Sequence, residues 1–391
     1  MLAVLFFLAL VVPGGVGIYY VATQQNRVPV DPATVPSAIA AVPAEQHAKA
    51  VEEGQRHARA LVAGEDQRGL SVAVAKGGEI VWAEGFGFRD HERRATVTPG
   101  TRFRSGSVSK TMTAAAVALL YDRKRIDVDA PVQTYVPAYP KKEWTVTTRQ
   151  LLGDVAGVHR LRGERNNSDQ VPRGICKTVD EALKTFAYEP LAFEPGTKYR
   201  FSTSGWILLS AVVEGAAGEP FSTFMSREVF KPLGMDRTAL EGTDNDADTV
   251  TFENRREGDD DVRDPPAADY SCTVGASAFL STPSDLVRLG SAMLTPGLLN
   301  AETIALFLTP LTLKSGASTD FALGWKVETI PVAGAKVRVA RHRASSIGGA
   351  ASLYLLPERG LAIAVMDNVQ NTVGVEALAL QIAEAFGGQP R

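Results

Sequence analysis

The stretch Thr101-Arg-Phe-Arg-Ser-Gly-Ser-Val-Ser-Lys-Thr-Met-Thr113 is followed by a run of Ala, Val and Leu that continues to Leu120. A segment that is apolar nearly all round is typical of a helix buried at the centre of a domain. Ser107 and Lys110 stand at its start, and residues three positions apart share one face of a helix. The spacing therefore predicts that the Lys110 ammonium reaches the Ser107 hydroxyl.

This pair has the chemistry of an activated nucleophile. An alcohol is a poor nucleophile near neutral pH, whereas a lysine taken out of water into a pocket can become basic enough to activate it. The N-terminus of a helix also favours the negative charge that develops at Ser107. A Ser-x-x-Lys spacing is weak alone, because a serine cap followed by an exposed lysine gives the same pattern. The flanking sequence has to decide between the two interpretations.

Strand-forming runs lie at both ends of the chain, outside this helix. On the N-terminal side, two such runs flank the hairpin signal Lys76-Gly-Gly. On the C-terminal side there are three, the last two separated by the turn Pro357-Glu-Arg-Gly360. The five runs are Leu70–Val74, Glu79–Ala83, Lys336–Ala340, Ala351–Leu356 and Leu361–Met366. Helix-forming composition covers 44–63, much of the middle section and 373–386.

These patterns predict an α/β (α+β) fold: an antiparallel sheet flanked by helices, with an inserted, mostly helical lobe. The 391 residues are 45% hydrophobic and 22% charged, which is enough to bury a large core. We expect the two halves of the sheet to come from residues 65–100 and 320–390 and the lobe from about 110–315. The chain then divides into a membrane anchor or signal segment (1–22), a Pro-rich tether (23–43) and a folded domain (44–390).

The N-terminal segment Leu2–Ala22 contains no charged side chain. About 20 apolar residues in a helix cover the hydrocarbon thickness of a bilayer. The missing basic n-region favours an uncleaved anchor, whereas Gly15-Val-Gly17 offers a cleavage site for a secretory signal. An anchor predicts a location in the cell inner membrane with the domain in the periplasm or extracellular space. Cleavage predicts a secreted protein.

The composition limits the classes of substrate and partner that we expect for this protein. A net charge of -3 with mixed signs gives no general attraction to nucleic acid, so we expect a small-molecule or peptide substrate and no cofactor. Cys176 and Cys272 are too far apart for a zinc knuckle or a redox pair, and no metal site is predicted. The two cysteines would form one disulfide in an oxidising compartment or stay as buried thiols. No pattern indicates an oligomeric state.

Gly106-Ser-Val-Ser-Lys-Thr111 resembles the nucleophile motif of the serine β-lactamase and penicillin-binding-protein superfamily, which includes class C β-lactamases, DD-peptidases of the S12 peptidase type and related esterases. Two segments resemble in particular the mitochondrial β-lactamase-like filament proteins and their bacterial counterparts, namely Tyr135-Val-Pro-Ala-Tyr-Pro and Thr147-Thr-Arg-Gln-Leu-Leu. Further segments resemble the superfamily in the expected order over about 45–390: Trp82-Ala-Glu-Gly-Phe-Gly, Pro195-Gly-Thr, Phe230-Lys-Pro-Leu-Gly-Met, Leu280-Ser-Thr-Pro-Ser-Asp-Leu and Leu323-Gly-Trp. The resemblance implies a β-lactamase/transpeptidase-like fold.

The second motif of this superfamily departs from its usual form here. It is Tyr-x-Asn or Tyr-Ser-Thr on a loop of the helical lobe, and its tyrosine acts as base or proton relay. The matching stretch is Phe201-Ser-Thr203, so the phenol is missing. The resemblance implies that Phe201 and Thr203 contact substrate. Tyr199 is the candidate replacement relay if the loop is displaced, since proton transfer needs hydrogen-bond reach.

The third motif, Lys-Thr-Gly or His-x-Gly on the sheet-edge strand, aligns with His342-Arg-Ala344. By the resemblance, His342 would hold a proton or polarise the catalytic network near neutral pH. Arg343 replaces a small hydroxyl residue and would either bind a substrate carboxylate or point to solvent. The backbone N–H groups of Ser107 and Ser345 would form the oxyanion hole.

A fourth stretch, Leu151-Leu-Gly-Asp-Val-Ala-Gly, resembles the superfamily's Leu-Leu-x-His-x-Ser/Ala-Gly. Asp154 stands where histidine is usual. A buried carboxylate needs a partner, and His159 and Arg160 follow nearby.

Two functional hypotheses follow from this sequence. The first is a serine hydrolase of β-lactamase, peptidase, esterase or amidase type that forms an acyl-enzyme on Ser107, with Lys110 as base and His342 as electrostatic or proton-transfer partner. Its substrate would be a peptide, a D-amino-acid peptide, an ester or a β-lactam. The second is a weakened or inactive pseudoenzyme that binds ligands or assembles through the same fold. Phe201 and Arg343-Ala344 motivate this alternative.

Overall fold

The computed structural model describes residues 30–64, 68–90, 92, 95–161, 174–243, 247–252, 268–370 and 372–387. The predicted anchor or signal segment, 1–22, lies outside the described residues. Within these ranges, every helix is too short or too polar to cross a bilayer.

A seven-stranded antiparallel sheet forms the centre of the described structure. Its strands, and those of a smaller three-stranded sheet, are in chain order β1 (Ser37–Ile39), β2 (Leu70–Lys76), β3 (Glu79–Phe86), β4 (Phe103–Arg104), β5 (Ala239–Leu240), β6 (Phe279–Ser281), β7 (Lys326–Val332), β8 (Ala335–Ser346), β9 (Gly349–Leu356) and β10 (Leu361–Asp367). The large sheet has the order β1-β3-β2-β10-β9-β8-β7 and the small one β4-β6-β5. The predicted antiparallel sheet is confirmed.

The N-terminal and C-terminal parts of the large sheet meet where β2 pairs with β10. Their register runs from Leu361 opposite Lys76 to Asp367 opposite Leu70. Strands β9 and β10 are buried along their whole length, which explains their continuous apolar sequence: both faces of this part of the sheet are covered.

Helices cover both faces of the large sheet and build the lobe. They are α1 (Glu45–Gly64), α2 (Ser109–Asp122), α3 (Thr148–Leu152), α4 (Val179–Lys184), α5 (Thr203–Ala217), α6 (Phe221–Phe224), α7 (Val274–Ser277), α8 (Pro283–Ala292), α9 (Ala301–Phe307) and α10 (Thr372–Gly387). Helices α1 and α10 pack on one face in a core of their own. Every residue of α2 up to Leu120 is buried, so the predicted central helix is confirmed.

Some elements differ from the sequence prediction. Part of the predicted tether belongs to the domain, because Ser37–Ile39 forms edge strand β1 and pairs with β3. Three residues are too short for a strand pattern to show. Strand β7 was not predicted either. It is an edge strand with partly exposed charged positions such as Lys326 and Glu328, so its apolar run is broken.

Cys176 and Cys272 form a disulfide with a Cα–Cα distance of 4.9 Å. The bridge joins chain positions separated by 96 residues, just before α4 and just before α7. Of the two alternatives that the sequence left open, the structure shows the crosslink.

Removing this disulfide is expected to lower the free energy of unfolding by about 2–5 kcal/mol, because a crosslink across a long loop restricts the unfolded chain. The test is urea denaturation of wild type and of a Cys176→Ser/Cys272→Ser double variant, each with and without reductant. Reductant should lower the midpoint of the wild type and leave that of the variant unchanged. Equal midpoints for oxidised wild type and variant would contradict the prediction.

Candidate active site

Ser107 lies on a single 3₁₀ turn, Gly106–Val108, that leads directly into α2. Gly106 has φ +47°, a conformation that costs glycine little. A Cβ at Gly106 would come within 3.0 Å of the Ala344 Cβ, so the turn also packs tightly against β8. Ser107 is 5% exposed. The glycine thus holds the serine at the junction of helix and sheet.

Lys110 reaches back along the helix to the serine, as its spacing predicted. Its Nζ donates to Ser107 Oγ at 2.7 Å and to the Ala276 carbonyl of α7 at 3.2 Å. The whole side chain is buried. The lysine is therefore a buried partner of the hydroxyl and not an exposed residue beside a serine cap.

Phe201 covers the lysine. The Lys110 Nζ lies 4.7 Å from the centre of the Phe201 ring. Arg160 fixes this loop by donating its Nε–H to the Phe201 carbonyl at 3.0 Å. Thr203, two residues on, begins α5 and is buried. The position where the superfamily carries its tyrosine is thus filled by a phenyl ring, which can neither donate nor accept a proton.

Tyr199 lies elsewhere on the same loop. Its ring stacks on Phe321 with centroids 4.3 Å apart. Burial, and then the negative charge of Asp154, raise the pKa of Tyr199, so its hydroxyl keeps its proton at any physiological pH. Of the two aromatic residues of the loop, Phe201 is the one in contact with the Ser107–Lys110 pair.

Asp154 accepts hydrogen bonds from residues on both sides of Phe201. Its Oδ1 accepts the Ser202 N–H at 3.3 Å and the Trp206 indole N–H at 3.2 Å, and its carbonyl accepts the Arg200 N–H at 2.8 Å. The predicted need for a partner is met by these donors. Asp154 has φ +53°, a strained conformation that these bonds hold in place.

His342 lies on β8 and contacts the segment just before β7. Its Nδ1 is 3.1 Å from the Gly324 carbonyl, which can only accept, so Nδ1 carries the proton and Nε2 is left as an acceptor. Burial and the neighbouring Lys110 ammonium lower the pKa of His342 to about 3. The imidazole is therefore neutral near pH 7, where the sequence had suggested a group that titrates.

This low pKa predicts how stability depends on pH. In the unfolded chain a histidine has its ordinary pKa of about 6.5, so between pH 3 and 6.5 the unfolded state binds the extra proton. The contribution of the neutral His342 to the free energy of unfolding is complete above pH 6.5 and falls as the pH drops. Over pH 6.5 to 4, wild type should lose about 3 kcal/mol more unfolding free energy than His342→Gln. Urea denaturation at each pH measures the difference, and parallel pH profiles would contradict it.

Neighbouring side chains of β8 point to opposite faces of the sheet, as strand geometry requires. Ala344 faces the Gly106 turn, whereas Arg343 Nη1 bonds Glu376 Oε2 of α10 at 2.8 Å. The Arg341 guanidinium also pairs with Glu376. Arg343 is thus bound on the α10 side and half exposed, and it does not join the side chains around Ser107.

The backbone arrangement suits the predicted oxyanion hole. A Cβ at Gly106 would lie 3.5 Å from the Ser345 carbonyl, so the nucleophile turn runs alongside this part of β8. Pairing of β8 with β7 ends at Arg341 opposite Lys326. Beyond it, β9 is the only strand neighbour of β8 within the described chain, and the other edge of 342–346 is open beside Ser107.

Two contacts of this site could not be found in the sequence. Tyr270 accepts the Ile347 N–H at 3.1 Å, and Arg104 Nη1 donates to the Ile347 carbonyl at 2.5 Å while pairing with Glu241. These bonds fix the turn that follows Ser345. The contact between Lys110 and the Ala276 carbonyl could not be predicted either, because every residue type has a backbone carbonyl.

A serine held by a buried lysine one turn further along a central helix, beside the free edge of an antiparallel sheet, is the arrangement of the serine β-lactamase and penicillin-binding-protein class. The Beta-lactamase family model matches residues 55–386, and the chain belongs to that family.

Relatives and solved structures agree with this assignment. The chain is 27% identical to the mouse serine beta-lactamase-like protein LACTB, mitochondrial, over 81% of this chain and 77% of that protein. It is 23% identical to penicillin-binding protein 4* of Bacillus subtilis, over 82% and 72%. EstCE1, a hydrolase with promiscuous acyltransferase activity, has a similar fold, with a TM-score of 0.70, 20% identity and coverage of 87% and 99%. The predicted fold class is confirmed.

Proposed function

We propose that this chain is a serine hydrolase in which Ser107 attacks the carbonyl carbon of an amide, ester or β-lactam and forms an acyl-enzyme. The observation that carries the proposal is the 2.7 Å hydrogen bond between Lys110 Nζ and Ser107 Oγ inside a closed environment. Related proteins with penicillin-binding, esterase and D-alanine carboxypeptidase names support this substrate range.

In the proposed acylation, the deprotonated form of Lys110 takes the hydroxyl proton as Ser107 Oγ bonds to the carbonyl carbon. The carbonyl oxygen becomes an oxyanion, which the N–H groups of Ser107 and Ser345 would stabilise. When the tetrahedral intermediate collapses, the bond to the leaving group breaks and Lys110 returns the proton to that group. The neutral His342, with Nε2 free to accept a hydrogen bond, is suited to orient a donor on the substrate or a water.

The open edge of β8 suggests how substrate would be aligned. Residues 342–346 can pair in extended form with a peptide-like backbone and place its carbonyl over Ser107. A substrate carboxylate could bind Arg343 only after displacing Glu376. We therefore propose that backbone pairing, more than charge recognition, positions the substrate.

Deacylation is the weak step in this mechanism. Water must lose a proton while attacking the acyl ester, and the Phe201 ring offers no group to relay it. A missing relay typically costs about 10²-fold to 10⁴-fold in rate. This favours a second candidate function, a receptor that acylates slowly and keeps its acyl group, in place of an enzyme with fast turnover.

We further propose that the domain is exported and that residues 1–22 tether it to the inner membrane or are cleaved as a signal. The charge-free apolar sequence Leu2–Ala22 supports a membrane segment. The Cys176–Cys272 disulfide supports an oxidising compartment. Alkylation of intact cells with a membrane-impermeant thiol reagent after reduction would test it. Labelling in intact cells supports a location outside the cytoplasm, and labelling that appears only after the cells are lysed contradicts it.

Intact-protein mass spectrometry tests the proposed hydrolase. The full chain, in non-ionic detergent, is incubated with a fluorescent penicillin and with an activated aryl ester. We expect a single adduct that is lost in Ser107→Ala. Ser109→Ala is the matched control, since Ser109 is an equally buried serine of the same segment whose hydroxyl bonds Ser105 and not Lys110.

The outcomes separate the two candidate functions. An adduct that decays with release of product supports the hydrolase, and one that persists supports the slow receptor. No adduct with either reagent, or an adduct that survives Ser107→Ala, contradicts a nucleophilic Ser107.

A further inference from the structure

A cavity lies in the helical lobe, with a volume of about 840 Å³. Helix α7 is shared between the two sites. Its Ala276 carbonyl accepts from Lys110, whereas Val274 and the adjoining Ala278 line the cavity. Ser107, Lys110, Phe201 and His342 are not among the described residues of its wall. The cavity is therefore separate from the candidate active site, and its size is that of a small-molecule site.

The wall of the cavity is mainly apolar. It is formed by side chains from α4, α5, α6 and α7 and from the loop before α3, among them Val136, Val179, Leu183, Ala211, Phe221 and Val274. A space with such a lining favours an apolar ligand body and disfavours a ligand that is polar all round.

One acidic side chain in this wall differs from its neighbours. The Glu214 carboxylate accepts the Phe221 N–H at 2.8 Å, and it forms no ion pair with any residue that the structure describes. Glu214 is half-buried, and this burial raises the pKa of its carboxyl. The other acids of the wall have cationic partners: Asp180 with Lys184, Glu219 with Arg227 and Glu241 with Arg104.

We propose that this cavity binds a small molecule with an apolar body and a protonated amine, and that the amine donates to Glu214. A carboxylate against an apolar wall is costly without a compensating group. An ammonium supplies both the charge and the hydrogen bond, and such charge-assisted bonds are about twice as strong as neutral ones. Because Ser107 does not line the cavity, the ligand is distinct from the molecule that acylates it.

Isothermal titration calorimetry of the full chain in non-ionic detergent tests this proposal with a matched pair of probes, 4-phenylbutylamine and 4-phenylbutanol. The two have the same apolar body and differ in the head group. We expect saturable binding of the amine with a Kd of about 1 mM or below. The alcohol should bind about tenfold more weakly or not at all.

The variant Glu214→Gln removes the charge, and its amide oxygen can still accept the Phe221 N–H. Its affinity for the amine should fall about tenfold or more, to the level of the alcohol. Asp180→Asn is the control, because Asp180 also lines the cavity but already pairs with Lys184. Its affinity should equal that of wild type.

Three results would overturn the proposal: no saturable binding of the amine, equal affinity of wild type for amine and alcohol, or equal affinity of wild type and Glu214→Gln for the amine. The two probes are compared on the wild-type chain itself, so the answer does not depend on whether a variant folds. Ser107→Ala should bind the amine as wild type does. Failure of the hydrolase proposal and failure of this one are thereby distinguished.

Discussion

Replacing Lys110 with methionine is expected to slow acylation of Ser107 by about 10⁴-fold or more, since nucleophile and base act as a unit. Lys110 Nζ lies 2.7 Å from Ser107 Oγ in a buried environment, and methionine fills similar space without accepting a proton. The substitution should change the free energy of unfolding by no more than about a few kcal/mol. The rate of penicillin or ester adduct formation and a urea titration measure the two effects separately.

Lys124→Met is the matched control for this substitution. Lys124 follows the same helix but is exposed, with its Nζ over the Tyr121 ring. Its acylation rate should equal that of wild type. If Lys110→Met also acylated at the wild-type rate while remaining folded, Lys110 would not be the base and the proposed mechanism would be wrong.

The substitution Phe201→Tyr is expected to increase turnover of an activated ester by about 10²-fold to 10⁴-fold, the usual contribution of a proton-transferring group. The Phe201 ring already contacts Lys110, whose Nζ lies 4.7 Å from the centre of the ring. The change adds only a hydroxyl at the ring edge. Steady-state product release measures turnover, and the lifetime of the Ser107 adduct shows whether deacylation is the step that gains.

Two further variants delimit this effect. Phe321→Tyr adds the same hydroxyl to a ring that stacks on Tyr199, and it should leave turnover unchanged. Tyr199→Phe should also have no effect if Tyr199 is not a relay. A loss of turnover in Tyr199→Phe would mean that the loop rearranges and that Tyr199 performs proton transfer. An unchanged rate in Phe201→Tyr would mean that the missing phenol does not limit turnover.

Much of the fold was predictable because its signals are local. The apolar run after Ser107 predicts a buried helix, and the runs Ala351–Leu356 and Leu361–Met366 predict central strands, since their composition reflects burial on both faces. The helix spacing also predicts the contact between Ser107 and Lys110. Edge strand β7 escaped prediction because a strand with a partly exposed edge position carries charges that interrupt the pattern.

The residues of the site could be predicted where they belong to sequence motifs, but their orientations and distant partners could not. Consecutive strand residues face opposite ways, so His342 and Arg343 could not both point at Ser107, but the sequence does not tell which face the helix occupies. The pairing of Arg343 with Glu376 decides this. Likewise, Tyr270 meets Ile347 from a position 77 residues away, and no local pattern announces such a contact.

The joining of β2 to β10 has a consequence for the order of events during synthesis. Gly69 N donates to Asn368 Oδ1 at 3.0 Å, a bond between positions 299 apart. The central pair of strands therefore cannot form until β10 has been synthesised and has left the ribosome, and contacts this distant in sequence make folding slow. The sheet of a nascent chain should therefore remain open until β10 emerges. This leaves a long interval in which chaperones can hold it unfolded.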